Sequence, residues 1–124
     1  MRSGTISIDG KRHVLCFSVR VVRNCAERYG ELSGLYAALS AENQVQALDE
    51  SLWILAEMMK AGAKYAAEHG LENAEPMSVD DLYDSCGFDD LAGIRSSIML
   101  TINNGKRTNV EAEASPNAEA TQRS

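Results

Sequence analysis

Apolar residues follow two different periods along this chain and then lose any period, and each stretch predicts its own kind of structure. Near the N-terminus they alternate with polar residues: Ile6 and Ile8 before Asp9-Gly10, then His13, Leu15 and Phe17 after it. Alternation on both sides of a two-residue turn predicts a β-hairpin, because a type I′ turn needs positive φ at both positions and Asp-Gly tolerates it. Between 41 and 69 the spacing becomes three and four, through Val45, Leu48, Leu52, Leu55, Met59, Ala63 and Ala66. That stripe predicts the main helix, capped by Ser40 and closed by Gly70. After Lys106 the chain is Ala, Glu, Asn, Thr, Ser, Pro and charge with no apolar period, which predicts a disordered tail.

Shorter elements fill the intervals. Ser18-Val19-Arg20-Val21-Val22 reads in two ways: the second strand stops at Phe17 or runs on to Val21. The helical alternative is favoured, with Ser18 as its cap, Val19, Val22, Ala26 and Tyr29 as its apolar stripe and Gly30 as its end. Leu32 to Leu39 reads as a short helical turn or loop. Ser78-Val79-Asp80-Asp81 matches a capping box and opens a helix whose apolar face is Val79, Leu82, Tyr83 and Cys86. Gly87 ends it, and a last helix is expected from about Asp89 to Ile102, with Leu91, Ile94, Ile98 and Ile102 inward. The predicted fold is α+β: an N-terminal β-hairpin packed on a small bundle of about four helices. It forms a single domain over 1–103, with the disordered tail over 104–124.

Charge sharpens this picture. Residues 1–30 hold six basic side chains against two acidic ones, whereas residues 31–90 hold only Lys60 and Lys64 against thirteen acids. Such a split favours head-to-tail contact between copies, basic face on acidic face, and disfavours nucleic acid. Solvated helix faces explain the same split equally well. No apolar run is long enough to span a membrane, and no signal-peptide pattern opens the chain. Cys16, Cys25 and Cys86 are odd in number and widely spaced, as expected of buried thiols in a reducing cytoplasm.

The residues that could carry chemistry do not converge in sequence. His13 and His69 have no His or Cys at metal-ligand spacing, so neither metal nor cofactor is expected. Cys25 lies near Arg23 and Arg28 but has no accompanying base, which favours an inert thiol over a nucleophile. Asp80, Asp81, Asp84, Asp89 and Asp90 lack the spacing of a calcium loop and read as acids at helix starts. No phosphate loop, nucleophile elbow or paired catalytic carboxylate is present, so no catalytic residue and no enzyme activity are expected. Residues 78–98 have the outline of a helix-turn-helix, which makes a small DNA-binding regulator the alternative function, yet their second helix carries Arg95 alone.

What remains is apolar surface in excess of one packing face. Trp53, Ile54, Met58 and Tyr65 widen the stripe of the main helix, as expected of an adaptable protein interface or of a helix covered on several sides. On the first reading, truncating Trp53 and Met58 together weakens partner binding more than folding. Lys11 and Arg12 make the hairpin edge basic and able to meet the acidic helices of a neighbouring copy.

Several segments together carry a resemblance. Ile6-Ser7-Ile8-Asp9-Gly10-Lys11 with His13 to Phe17, a helix ending in Tyr29-Gly30, Leu52-Trp53-Ile54-Leu55 in a longer helix, and acidic Ser78 to Leu82 follow one another in order. Residues 5–102 in this layout resemble the tail assembly chaperones of long-tailed, siphovirus-type bacteriophages. The resemblance implies a non-enzymatic factor of the host cytoplasm that self-associates and coats the tape measure protein until tail tube protein polymerises around it. It implies further that the factor is not retained in the mature virion. Members of this family are often also made in a longer, frameshifted form that recruits tail tube protein, and the tail after Lys106 suits such a junction.

Overall fold

Asp9 and Gly10 sit at φ 51° and 76°, as a type I′ turn requires, and they pair strand β1 (Ser3–Ile8) with strand β2 (Lys11–Cys16). The pairing is antiparallel, with Ile6 opposite His13 and Ile8 opposite Lys11. These coordinates are a computed structural model, and they describe residues 3–105. Five helices follow: α1 (Val19–Tyr29), α2 (Ser33–Leu39), α3 (Gln44–His69), α4 (Val79–Ser85) and α5 (Leu91–Gly105), with a 3-10 turn at Phe88–Asp90 before the last. The architecture is α+β, a two-stranded sheet on a helical bundle.

Strand β2 stops at Cys16, and Ser18 takes over as the cap of α1 by accepting from the Val21 amide. The face of α1 differs from the expected stripe. Val19 is 81% exposed, whereas Val21 and Cys25 are buried and Val22 and Tyr29 pack against the core. Phe17 enters the core just before α1 begins, so the helix starts one step round from where Val19 would face inward.

Helix α3 begins at Gln44 rather than near Ala41. Its cap is Asn43, whose Oδ1 accepts from the Gln46 amide at 3.0 Å. Ser40 instead finishes α2, where its hydroxyl donates to the Tyr36 carbonyl at 2.9 Å. Asn caps as well as Ser, so the later residue takes the position once Ser40 is engaged. At the other end Gly70 adopts the left-handed conformation, as expected.

The hairpin lies on α3 and α5, and α1, α2 and α4 pack round the remaining sides of α3. Ser51, Leu52, Ile54, Leu55, Ala56, Met58 and Met59 are therefore all buried, and the middle of α3 faces solvent almost nowhere. A helix apolar on most sides is a core helix. The breadth of its apolar surface comes from covering elements.

Gly62 allows the closest approach. A Cβ there would collide with the Val14 carbonyl and lie 2.9 Å from the Leu15 amide nitrogen, so α3 touches the β2 backbone itself. Two further bonds close this edge of the sheet: the Val14 amide donates to Asn73 Oδ1 at 2.6 Å, and the Ala74 amide donates to the Arg12 carbonyl at 3.0 Å. Val14 and Cys16, on the strand face expected to be polar, are buried as a result. Since Arg12 and Val14 direct their backbone groups away from β1, their register partners Ser7 and Thr5 direct theirs away from β2. At the end of that β1 edge the Ser3 carbonyl accepts from Asn104 Nδ2 at 2.9 Å.

Helix α4 carries the expected capping box between Ser78 and Asp81. The last helix is longer than expected: Asn104 and Gly105 belong to it, because Asn104 is anchored on Ser3. Residues 104 and 105, expected in the tail, therefore belong to the helix, and the rest of the segment expected to be disordered, 106–124, lies outside the described residues.

Candidate interaction surfaces

The groups singled out in the main helix separate into core and surface. Ile54 and Met58 are completely buried, so they are core residues and not part of an interface. Met58→Ala would open a cavity costing about 2–5 kcal/mol, so truncating Met58 with Trp53 strikes folding first. Trp53 is half-buried and held by its neighbours. The Tyr29 ring meets it edge-on at 5.9 Å and 88°, and the Arg28 guanidinium lies 4.5 Å from its ring centroid. Arg28 is fixed in turn by a bidentate pair with Glu50, both bonds 2.8 Å. This cluster clamps α1 to α3.

Its electrostatics follow from that geometry. Donation from Arg28 holds the Glu50 carboxyl below its usual range against the opposing effect of burial, and the same bond raises the Arg28 pKa. Burial, reinforced by Glu50, raises the Tyr29 phenol.

Of the expected interface residues, Tyr65, Lys11 and Arg12 remain at or near the surface. Tyr65 stacks on His69 at 4.1 Å and lines a groove between α1 and α3 together with Arg20, Val21, Lys60 and Lys64. That groove encloses about 600 Å³. Both lysines of the 31–90 stretch therefore stand beside a basic residue of the first thirty. Glu57 and Glu68 share the rim, and Lys60 holds Glu57 at 3.8 Å.

Lys11 and Arg12 are exposed, but the β2 edge they were expected to offer is occupied. Asn73 and Ala74 of the chain's own α3–α4 connection bond to it. The polar linker covers this edge because Asn73 supplies a side-chain acceptor and Ala74 an amide donor one residue apart.

A second surface forms where α4, the 3-10 turn and α5 meet the first half of α3. Leu48, Leu52, Leu82, Cys86, Leu91 and Ile94 line an apolar depression of about 230 Å³ there. Phe88 stands beside it 74% exposed, and Tyr83 is 41% exposed with its hydroxyl on Asp49. Residues 78–90 carry five acids and no base. Asp90 accepts from the Gly87 amide at 2.7 Å, which fixes the turn that presents Phe88. Sequence reasoning missed Phe88 as a surface feature, although a bulky aromatic between Gly87 and two aspartates belongs to no helical stripe.

The titratable residues stay apart. His13 is buried with both ring nitrogens unpartnered, and burial lowers its pKa, with Lys11 adding to the effect. His69 bonds through Nδ1 to the Tyr65 carbonyl at 2.8 Å. None of the three cysteines forms a disulfide. Burial, with Glu57 next, pushes the Cys25 thiol up to about 11, and burial also raises Cys86. Among the described residues no group of three or more His, Cys, Asp or Glu side chains is placed to hold a metal ion. No described helix is long and apolar enough to cross a membrane.

No protein-family model, curated protein or solved structure matches the chain.

Proposed function

We propose that this chain is a non-enzymatic tail assembly chaperone that self-associates and coats a tape measure protein before the tail tube polymerises. The observation that carries the reading is the polarised surface. A basic groove between α1 and α3 lies toward one end of α3, and an acidic platform presenting Phe88 lies toward the other. Opposed charge with exposed aromatic surface suits reversible association of many copies along a long partner. The layout of residues 5–102 supports the same reading. On it the protein acts in the host cytoplasm, leaves before the virion matures, and meets tail tube protein through a frameshifted longer form.

Co-expression tests it. With this chain present, a long helical tape measure protein stays in the soluble fraction and copurifies. A partner equally insoluble with and without the chain refutes the proposal. A DNA-binding regulator would instead bring cations to phosphate, whereas α4 and the turn after it are anionic and Arg95 buries its Nε. No salt-sensitive shift of duplex DNA is expected.

A further inference from the structure

We infer that copies of this chain join head to tail, with Phe88 of one copy seated in the groove between α1 and α3 of the next. Phe88 is the most exposed aromatic side chain among the described residues and projects from a 3-10 turn pinned by the Asp90–Gly87 bond. Asp89 flanks it directly, and Asp84 lies one turn of chain earlier on α4. The groove has the complementary character. Val21, Ala61 and Tyr65 give it apolar walls, and Arg20, Lys60 and Lys64 outnumber Glu57 and Glu68 on its rim. One of those two acids is already held by Lys60, which leaves Arg20 and Lys64 facing outward.

A chain cannot satisfy its own groove. Phe88 packs near Leu48 and Leu52, while the α3 side of the groove runs from Glu57 to Glu68, so the centres of the two patches lie about a dozen residues apart along α3, roughly 18 Å at 1.5 Å per residue. Two different patches in contact make a heterologous interface, which grows into rings or filaments and does not stop at a dimer. Charge complementarity selects a second copy as the occupant. The chain supplies five acids over residues 78–90, with Asp89 and Asp90 following Phe88 directly, and a net basic rim around the groove, so each copy carries both halves of the contact.

This contact rests on the self-association in the function proposed above, and its failure is separable from failure of that function. Sedimentation velocity of the full chain at low ionic strength is the test, using two variants altered at exposed positions. Phe88→Ala with Asp89→Lys removes the knob. Arg20→Glu with Lys64→Glu reverses the rim and places an acid where the first turn of α1 tolerates it. Circular dichroism and the thermal midpoint show that each variant folds, and Phe88→Ala alone provides a knob variant with no charge change.

Wild-type protein is expected to sediment as a concentration-dependent series above the monomer that shrinks with salt. Each variant alone is expected at the monomer mass, and an equimolar mixture at the dimer mass without longer species, because one intact knob meets one intact groove. Three results overturn the contact: a monomeric wild type, variants that assemble as wild type does, or a mixture that stays monomeric. Pairing through the outward edge of β1 at Thr5 and Ser7 would give the second of these. If wild type is monomeric yet keeps a tape measure protein soluble, the contact fails and the chaperone stands. If the mixture behaves as expected and the partner stays insoluble, the converse holds.

Discussion

Replacing Gly62 by alanine sets two physical effects against each other. By helix propensity alone, Gly→Ala inside a helix stabilises by about 1 kcal/mol. At Gly62, however, the new methyl would meet the Val14 carbonyl and the Leu15 amide, both backbone atoms of β2. A side chain could rotate aside, but a strand held by its ladder to β1 and by Asn73 and Ala74 cannot. Overpacking of this kind costs about 1–3 kcal/mol, and the rigidity of the neighbour places this site at the upper end. The net expectation is a loss of about 2 kcal/mol once the propensity gain is subtracted.

Gly93 provides the control. It also lies in a helix, α5, but nothing approaches within 4 Å of a Cβ added there. Gly93→Ala should therefore stabilise by about 0.5–1 kcal/mol. Urea titration followed by Trp53 fluorescence reads both, since Trp53 is the single tryptophan. With an m-value of about 1–3 kcal/mol/M, the Gly62→Ala midpoint falls by about 1 M and the Gly93→Ala midpoint rises by a few tenths. Two variants that both rise would refute the close approach of α3 to β2.

Three further outcomes follow from particular contacts. Glu50→Gln keeps the shape of the α1–α3 clamp but removes its charge, and chemical denaturation should show a loss of about 1 kcal/mol. Because the Glu50 pKa is depressed in the fold, the contribution of that pair is present above the unfolded carboxylate pKa. It is lost as pH falls through the lower folded value, and Glu50→Gln should flatten the acid limb. His13 acts in a different window. Its folded pKa is lowered, so the unfolded chain takes up the proton first and stability declines as pH drops below the ordinary histidine value, with a slope of up to about 1.4 kcal/mol per pH unit. The groove on this side of His13 also holds Asp9, Lys11, Glu75 and Asp81, and His13→Leu should remove the slope. Finally, Cys86, half-buried, should react with a thiol reagent before Cys25, whose pKa of about 11 leaves little thiolate at neutral pH. Mass spectrometry of the partly labelled native protein identifies which is modified.

Much of the fold was legible because its signals are local. Asp9-Gly10, Ser18, Gly30, Gly70 and the Ser78–Asp81 box each act within a few residues, and each ends or begins an element as expected. The choice between Ser40 and Asn43 was not legible, since both can cap and only the bond from Ser40 to Tyr36 separates them. Nor was burial of Val14 and Cys16, which depends on α3 and the 71–74 segment arriving from distant sequence. The surfaces show the same division. The charge split between the first thirty residues and the next sixty can be counted in the chain, but the sequence does not bring Arg20 to Lys64 or lift Phe88 from the acidic turn. Ile54 and Met58 were misplaced as interface because amphipathic excess on one helix looks the same whether a partner or the chain's own hairpin covers it.

The most direct test of the account is the number of chains bound per partner. Complexes of this protein with tape measure fragments of increasing length, purified after co-expression and weighed by light scattering, should carry copies in proportion to fragment length. A fixed number of copies on every fragment, or no stable complex with any, would contradict a protein that coats its partner.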